Sequence, residues 1–223
     1  MQLINKIIIF FVKEFKISIK NLSDLFTNIV FFFLSIFIFI FSIGPDKQVL
    51  STFGIGILWA LLLLSSTLSL KKYYHDDFNN GSLIIMHMGG LSYEFIAILK
   101  IISHFIFVQL PFLITIPIAS LFVNLPYSKI ILLLISFFIG SLVLSCLGSI
   151  AASMNLLNKR NFTLSSLIVM VFSIPVIIFS VGLAQSQENI LSLLNILFAI
   201  LLIFISISPW TSAVCIRLAL ANS

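Results

Sequence analysis

FGIGILWALLLLSSTLSLKKYYHDDFNNGSLIIMHM, from Phe53 to Met88, sets an apolar run directly against a polar hinge. The part up to Leu70 is almost free of charge and close to the ~20 residues that cross a bilayer core as a helix. The part from Leu70 to Leu83 holds Lys71, Lys72, Asp76 and Asp77 in one short stretch, and a compact apolar patch, Ile84 to Met88, follows it. An unbroken apolar run belongs in lipid, and clustered charge belongs in water. The lysines of the hinge mark its side as cytoplasmic, where a soluble partner can push on the transmembrane part. This predicts a transporter or assembly subunit rather than an enzyme.

Working outward, the whole chain repeats the first half of that pattern. Hydrophobic residues make up 61% of the 223 residues and charged residues only 9%, far from the roughly one quarter charged that soluble domains carry. The composition predicts an all-α integral membrane protein with six transmembrane helices in a single permease domain, residues 1–223. The spans run approximately over Leu25–Ile43, Leu50–Leu70, Phe95–Val123, Ile130–Met154, Phe162–Ala184 and Ile190–Ser208. The connectors GPDKQV, NLPYSK and QSQEN carry only Lys47 and Lys129. The N-terminal segment, the loop from Lys71 to Lys100, NLLNKRN and the tail with Arg217 carry the other ten positive residues. That asymmetry predicts that both termini are cytoplasmic. The positive charge is spread over short loops with no basic tract, so nucleic acid is not an expected partner.

Residues 1–22 read as an amphipathic helix that precedes the first span. Lys6, Lys13, Lys16 and Lys20 share one sector at about 100° per residue while Ile, Phe and Val cover the rest, as in a helix lying in the membrane interface against lipid headgroups. Pro111 and Pro117 are expected to interrupt the third span, Pro175 the fifth, and Pro209 to end the sixth. Gly140, Ser141, Ser145, Gly148, Ser149, Ala152 and Ser153 place small residues at three- and four-residue spacing in the fourth span, a seam for close helix packing. Cys146 and Cys215 lack the CxxC spacing of a redox or metal pair and read as small buried residues. No metal site is expected.

Several landmarks in order carry a resemblance. The run FGIGILWALLLLSSTLSL with DDFNNGSL, then LKIISHFIFVQLPFLI (Leu99–Ile114), GSLVLSCLGSIAA (Gly140–Ala152), LNKRN with the later SIPVIIF, and SPWTSAVCIRLAL (Ser208–Leu220) are similar to the haem exporter protein B family. In that family the segment after Gly-Ser-Leu usually begins with an acidic residue, where Ile84 stands here, and the loop often closes with a proline turn, where Met88, Gly89 and Gly90 stand. Gly-Gly commonly follows the Lys-Arg pair, where Asn161 and Phe162 stand. The resemblance implies a multi-pass permease of the bacterial inner membrane in an ABC-type system for c-type cytochrome biogenesis. Its implied partners are a separate ABC ATPase subunit, which binds the ATP, a haem-handling membrane subunit with a small membrane subunit, and a periplasmic haem chaperone. Haem is then a substrate rather than a resident cofactor.

The residues agree with that division of labour. There is no GxxxxGK[ST] phosphate loop, no HExxH pair and no clustered catalytic set, so no catalytic residue is assigned and energy must come from another chain. Residues 71–94 are the expected ATPase-coupling loop. Asp76 and Asp77 would cap a turn or pair with basic partner residues, Gly81 and Ser82 would start a short helix with Ser82 as its cap, and Leu83, Ile84, Ile85, Met86 and Met88 would dock in the ATPase. On this reading replacement of Asp77 or Leu83 weakens docking. His104 is the candidate intramembrane polar site, more simply a hydrogen bond to a neighbouring helix than a haem ligand, and Lys100 is expected to snorkel to the headgroups. An ABC-type permease for a lipid-linked glycan or drug, or a non-transporting scaffold in a haem-handling complex, would share these features.

Overall fold

In the computed structural model, residues 2–44, 46–157, 162–186 and 188–222 are described. Lys159 and Arg160, used above in the charge count, lie outside them. Helix α1 (Gln2–Lys20) bends at Asn21 into α2 (Leu22–Ile43), which is followed by α3 (Lys47–Thr67). Asp46 starts α3 by accepting from the amides of Gln48 at 2.9 Å and Val49 at 3.3 Å, the arrangement that satisfies orphan donors at a helix start. The chain then tightens into a 3-10 turn (Leu68–Lys72), and two short helices, α4 (His75–Asn79) and α5 (Ser82–Met88), form the hinge.

The third span is built in three pieces: α6 (Tyr93–His104), a π-helical segment (Phe105–Gln109) and α7 (Leu110–Phe122). Pro111 explains the break. It has no N–H to give the carbonyl of Phe107 and its ring crowds that carbonyl, so the ladder widens just before it. Helices α8 (Tyr127–Leu157), α9 (Phe162–Gln185) and α10 (Ile190–Ala221) complete the chain. Among the described residues, six helical stretches are long and apolar enough to cross a membrane. Large apolar side chains such as Phe41, Ile114, Ile131, Ile178 and Leu191 remain exposed on their outer faces, as lipid-facing surfaces require.

Proline behaves differently from the expectation at three other sites. Pro117 and Pro175 lie inside α7 and α9 without ending them, and Pro209 does not end the sixth span, since α10 continues to Ala221. Inside a bundle the freed carbonyl need not meet water, so the helix can persist.

Helix α8 packs mainly against α10 and α9, and its seam of small residues is buried, as its spacing predicts. Gly140 is the tightest point. A Cβ there would sit 2.1 Å from the Trp59 ring, and Trp59 is fully buried and stacked on Phe137 with centroids 4.3 Å apart. Cys146 is buried in the same seam and Cys215 is half-buried; both are free thiols.

Three of the segments expected to share a side do meet at one end. Lys13 of α1 pairs with Asp77 of the hinge, and Arg217 of α10 pairs with Glu94 at the start of α6 and stands over the Tyr93 ring. At the other end, the Gln185 side-chain amide donates to the Thr52 carbonyl at 3.2 Å, joining α9 to α3.

Candidate functional site: the charged hinge and its ion network

The hinge is fastened to the bundle by its two tyrosines. Both rings are buried. The Tyr73 hydroxyl donates to the Ser145 carbonyl at 3.1 Å, and the Tyr74 hydroxyl lies 2.8 Å from Ser149 Oγ, which in turn lies 2.8 Å from Ser212 Oγ of α10. The seam of α8 is therefore more than a packing surface. Its serines carry a polar ladder, and in a low-dielectric interior such satisfied ladders fix one arrangement of the helices they join.

Below the tyrosines, four charges from three elements converge. Lys100 of α6 donates to Glu14 of α1 at 2.8 Å and also pairs with Asp77 of α4, while Asp77 is shared with Lys13 of α1. The Lys100, Asp77 and Glu14 side chains are each at most a tenth exposed. Two expectations are corrected here. Asp77 does not face outward toward a partner, and Lys100 does not snorkel to headgroups. Two carboxylates lie within reach of the ammonium, and a buried cation stays charged only when so compensated. Glu14 was missed by sequence reasoning, although its position off the lysine sector of α1, one turn after buried Phe10, signals a face turned to protein.

His104 is buried beside this network, its ring 4.6 Å from that of Tyr73. Its Nε2 lies 3.0 Å from Ser69 Oγ and its Nδ1 3.1 Å from Ser145 Oγ. Both ring nitrogens are engaged by hydroxyls, so His104 acts as a brace between the turn after α3 and α8. Haem ligation would require breaking one of these bonds.

The short helix α5 is held between two glycines in the left-handed region. Gly81, at φ 68°, is its N-cap, which corrects the assignment of that role to Ser82, whose side chain caps nothing. Gly90, at φ 87°, closes it: its amide donates to the His87 carbonyl at 2.9 Å and the Leu91 amide to the Met86 carbonyl at 3.2 Å, a Schellman motif. Gly89 and Gly90 thus make a sharp stop without proline. Leu83 is fully buried and Met86 partly so, whereas Ile84, Ile85 and Met88 are 43%, 68% and 82% exposed. The expected five-residue docking patch divides into an inner anchor and an outer apolar face. Asp76 is exposed one turn before α5.

A bundle of six apolar helices with its charged hinge pinned by a buried ion network defines a multi-pass α-helical membrane protein. A family model described as CcmB protein matches residues 5–219, and the chain belongs to the CcmB family, multi-pass proteins of the inner membrane. It is 30% identical over 213 residues to heme exporter protein B of Haemophilus influenzae, covering 94% of this chain and 96% of that one. It is 30% identical over 175 residues to heme exporter protein B of Pseudomonas aeruginosa, covering 78% of each chain. To the protein of that name from Escherichia coli K12 it is 27% over 210 residues, covering 93% of this chain and 96% of that one.

Proposed function

We propose that the chain is the permease subunit of an ABC-type complex for c-type cytochrome biogenesis, serving haem export or release of a haem-loaded periplasmic chaperone, with ATP hydrolysed by a separate chain. The family match over nearly the whole length, to relatives named heme exporter protein B, carries this reading. The charged end is taken as cytoplasmic because lysine and arginine concentrate there, and α1 as an interfacial helix because Ile4, Ile8, Val12, Phe15 and Ile19 stay exposed beside its lysines.

In this scheme α5 is the coupling element. Its outer face of Ile84, Ile85 and Met88 is apolar and unburied at a polar end of the molecule, a surface that calls for a protein cover. A push on α5 passes through α4, its neighbour in the hinge, to Asp77, and from Asp77 through Lys100 into the third span and through Lys13 and Glu14 into α1. The π segment that follows His104 gives that span a point at which to yield.

Because Leu83 and Asp77 are buried, their replacement would disturb the fold along with docking. Ile85→Asp and Met88→Asp are the cleaner variants. Each is expected to reduce the ATPase retained in a mild-detergent pull-down about tenfold or more, as loss of an interface anchor does, without changing the amount of chain in the membrane. Mass spectrometry of the wild-type pull-down should find the ATPase together with a haem-handling membrane subunit, its small companion and haem absorption. An ATPase without haem-handling subunits would reassign the substrate, and full ATPase retention by both variants would remove α5 from the coupling path.

A further inference from the structure

Between the α1–α2 bend, the 3-10 turn after α3 and the π segment lies a partly open cavity of about 330 Å³. That volume is at the lower end of the range for small-ligand sites. One flank is apolar, formed by Ile17, Leu25, Leu68, Phe107 and Val108. The rest is charged: Glu14, Asp24, Asp76 and Asp77 reach it against Lys72 and Lys100. Lys13 also pairs with Asp77 but lines a separate, smaller cavity.

Pairing leaves one of these carboxylates over. Asp24 is taken by Lys72, while Glu14 and Asp77 are taken by Lys100 and Lys13. Asp76 has no ion-pair partner among the described residues. Independently of the charges, Asn28 lines the same cavity, is only 9% exposed, and its side-chain amide makes no hydrogen bond among the described residues. A polar side chain this buried without a partner is costly, and buried polar groups in native proteins are otherwise satisfied.

We infer that this cavity binds a primary ammonium group carried on an amphiphile. The ammonium answers the excess carboxylate at Asp76 and donates to the Asn28 side-chain oxygen, and the apolar remainder lies along the Phe107 flank. The excess of negative charge disfavours a propionate or other anionic group, so the site is distinct from any haem-carboxylate site. A phosphoethanolamine headgroup fits in addition because Lys72, half-exposed at the rim, can meet its phosphate. A soluble amine shares the ammonium chemistry but leaves the apolar flank uncovered.

The test uses the full-length chain, purified in mild detergent and stripped of lipid, titrated by native mass spectrometry with phosphatidylethanolamine or with phosphatidylcholine of the same acyl chains. The trimethylated choline nitrogen has no N–H to donate. Phosphatidylethanolamine should be retained about tenfold more strongly, the worth of a charge-assisted hydrogen bond. Asp76→Asn, a change at an exposed position, should erase that preference, Asn28→Leu should weaken it, and Glu188→Gln at a distant exposed site should leave it intact. Free ethanolamine is added in a second arm; displacement of the lipid, or binding of ethanolamine alone that is lost in Asp76→Asn, supports the ammonium site and identifies the source. Equal retention of the two lipids, or a preference that survives both Asp76→Asn and Asn28→Leu, would overturn it.

Discussion

Lys100→Met is expected to destabilise the purified chain by about 3–5 kcal/mol, the cost of removing one partner from a buried ion pair. The argument is one of uncompensated charge. Methionine fills much of the space of the lysine stem but leaves Glu14 with no cation and Asp77 with Lys13 alone. The transition midpoint in detergent should fall by about 10 °C, taking the scaling for chains of this size. Adding Glu14→Gln to Lys100→Met should recover most of the loss, because a neutral amide in that position carries no charge to strand, and the double-mutant cycle then reads the coupling directly. An unchanged midpoint in the single variant would mean that water reaches these groups and that the network does not tie α1, the hinge and the third span together.

Gly140→Val should be the other severe change. Replacing glycine in a helix ordinarily gains up to about 1 kcal/mol in propensity, yet here the new Cβ falls 2.1 Å from a Trp59 ring atom. Trp59 has no room to give, since it is fully buried and stacked on Phe137. Overpacking of a filled core costs about 1–3 kcal/mol and more when a rigid ring must move, so sterics should win and the yield of folded protein in detergent should fall. Shortening the facing ring in Trp59→Leu/Gly140→Ala should fold better than Gly140→Ala alone. Failure of that rescue would place the tolerance elsewhere in the seam.

The spans were legible because lipid imposes a simple rule: about 20 apolar residues per crossing and few charges within them. The seam of α8 was legible for the same kind of reason, as Gly140, Gly148 and their neighbouring serines repeat at helical spacing. What escaped reading was long-range pairing. Nothing near Lys100 in sequence announces that Glu14, 86 residues away, will reach it, and nothing in Asp77 itself distinguishes an inward carboxylate from an outward one. The cap of α5 was misassigned to Ser82 because serine is the commoner N-cap; the left-handed backbone at Gly81 took the role instead. Pro209 was misread because proline ends helices in water more reliably than within a bundle.

The central claim, that the outer face of α5 receives force from a separate ATPase, is tested most directly by photo-cross-linking. A benzophenone amino acid is placed at position 85 or 88, at buried position 83, or at position 127 on an exposed residue near the opposite end of the bundle. Irradiation in membranes should join the chain to the ATPase from positions 85 and 88 and from neither of the others. An ATPase adduct from position 127, with none from 85 or 88, would contradict the account.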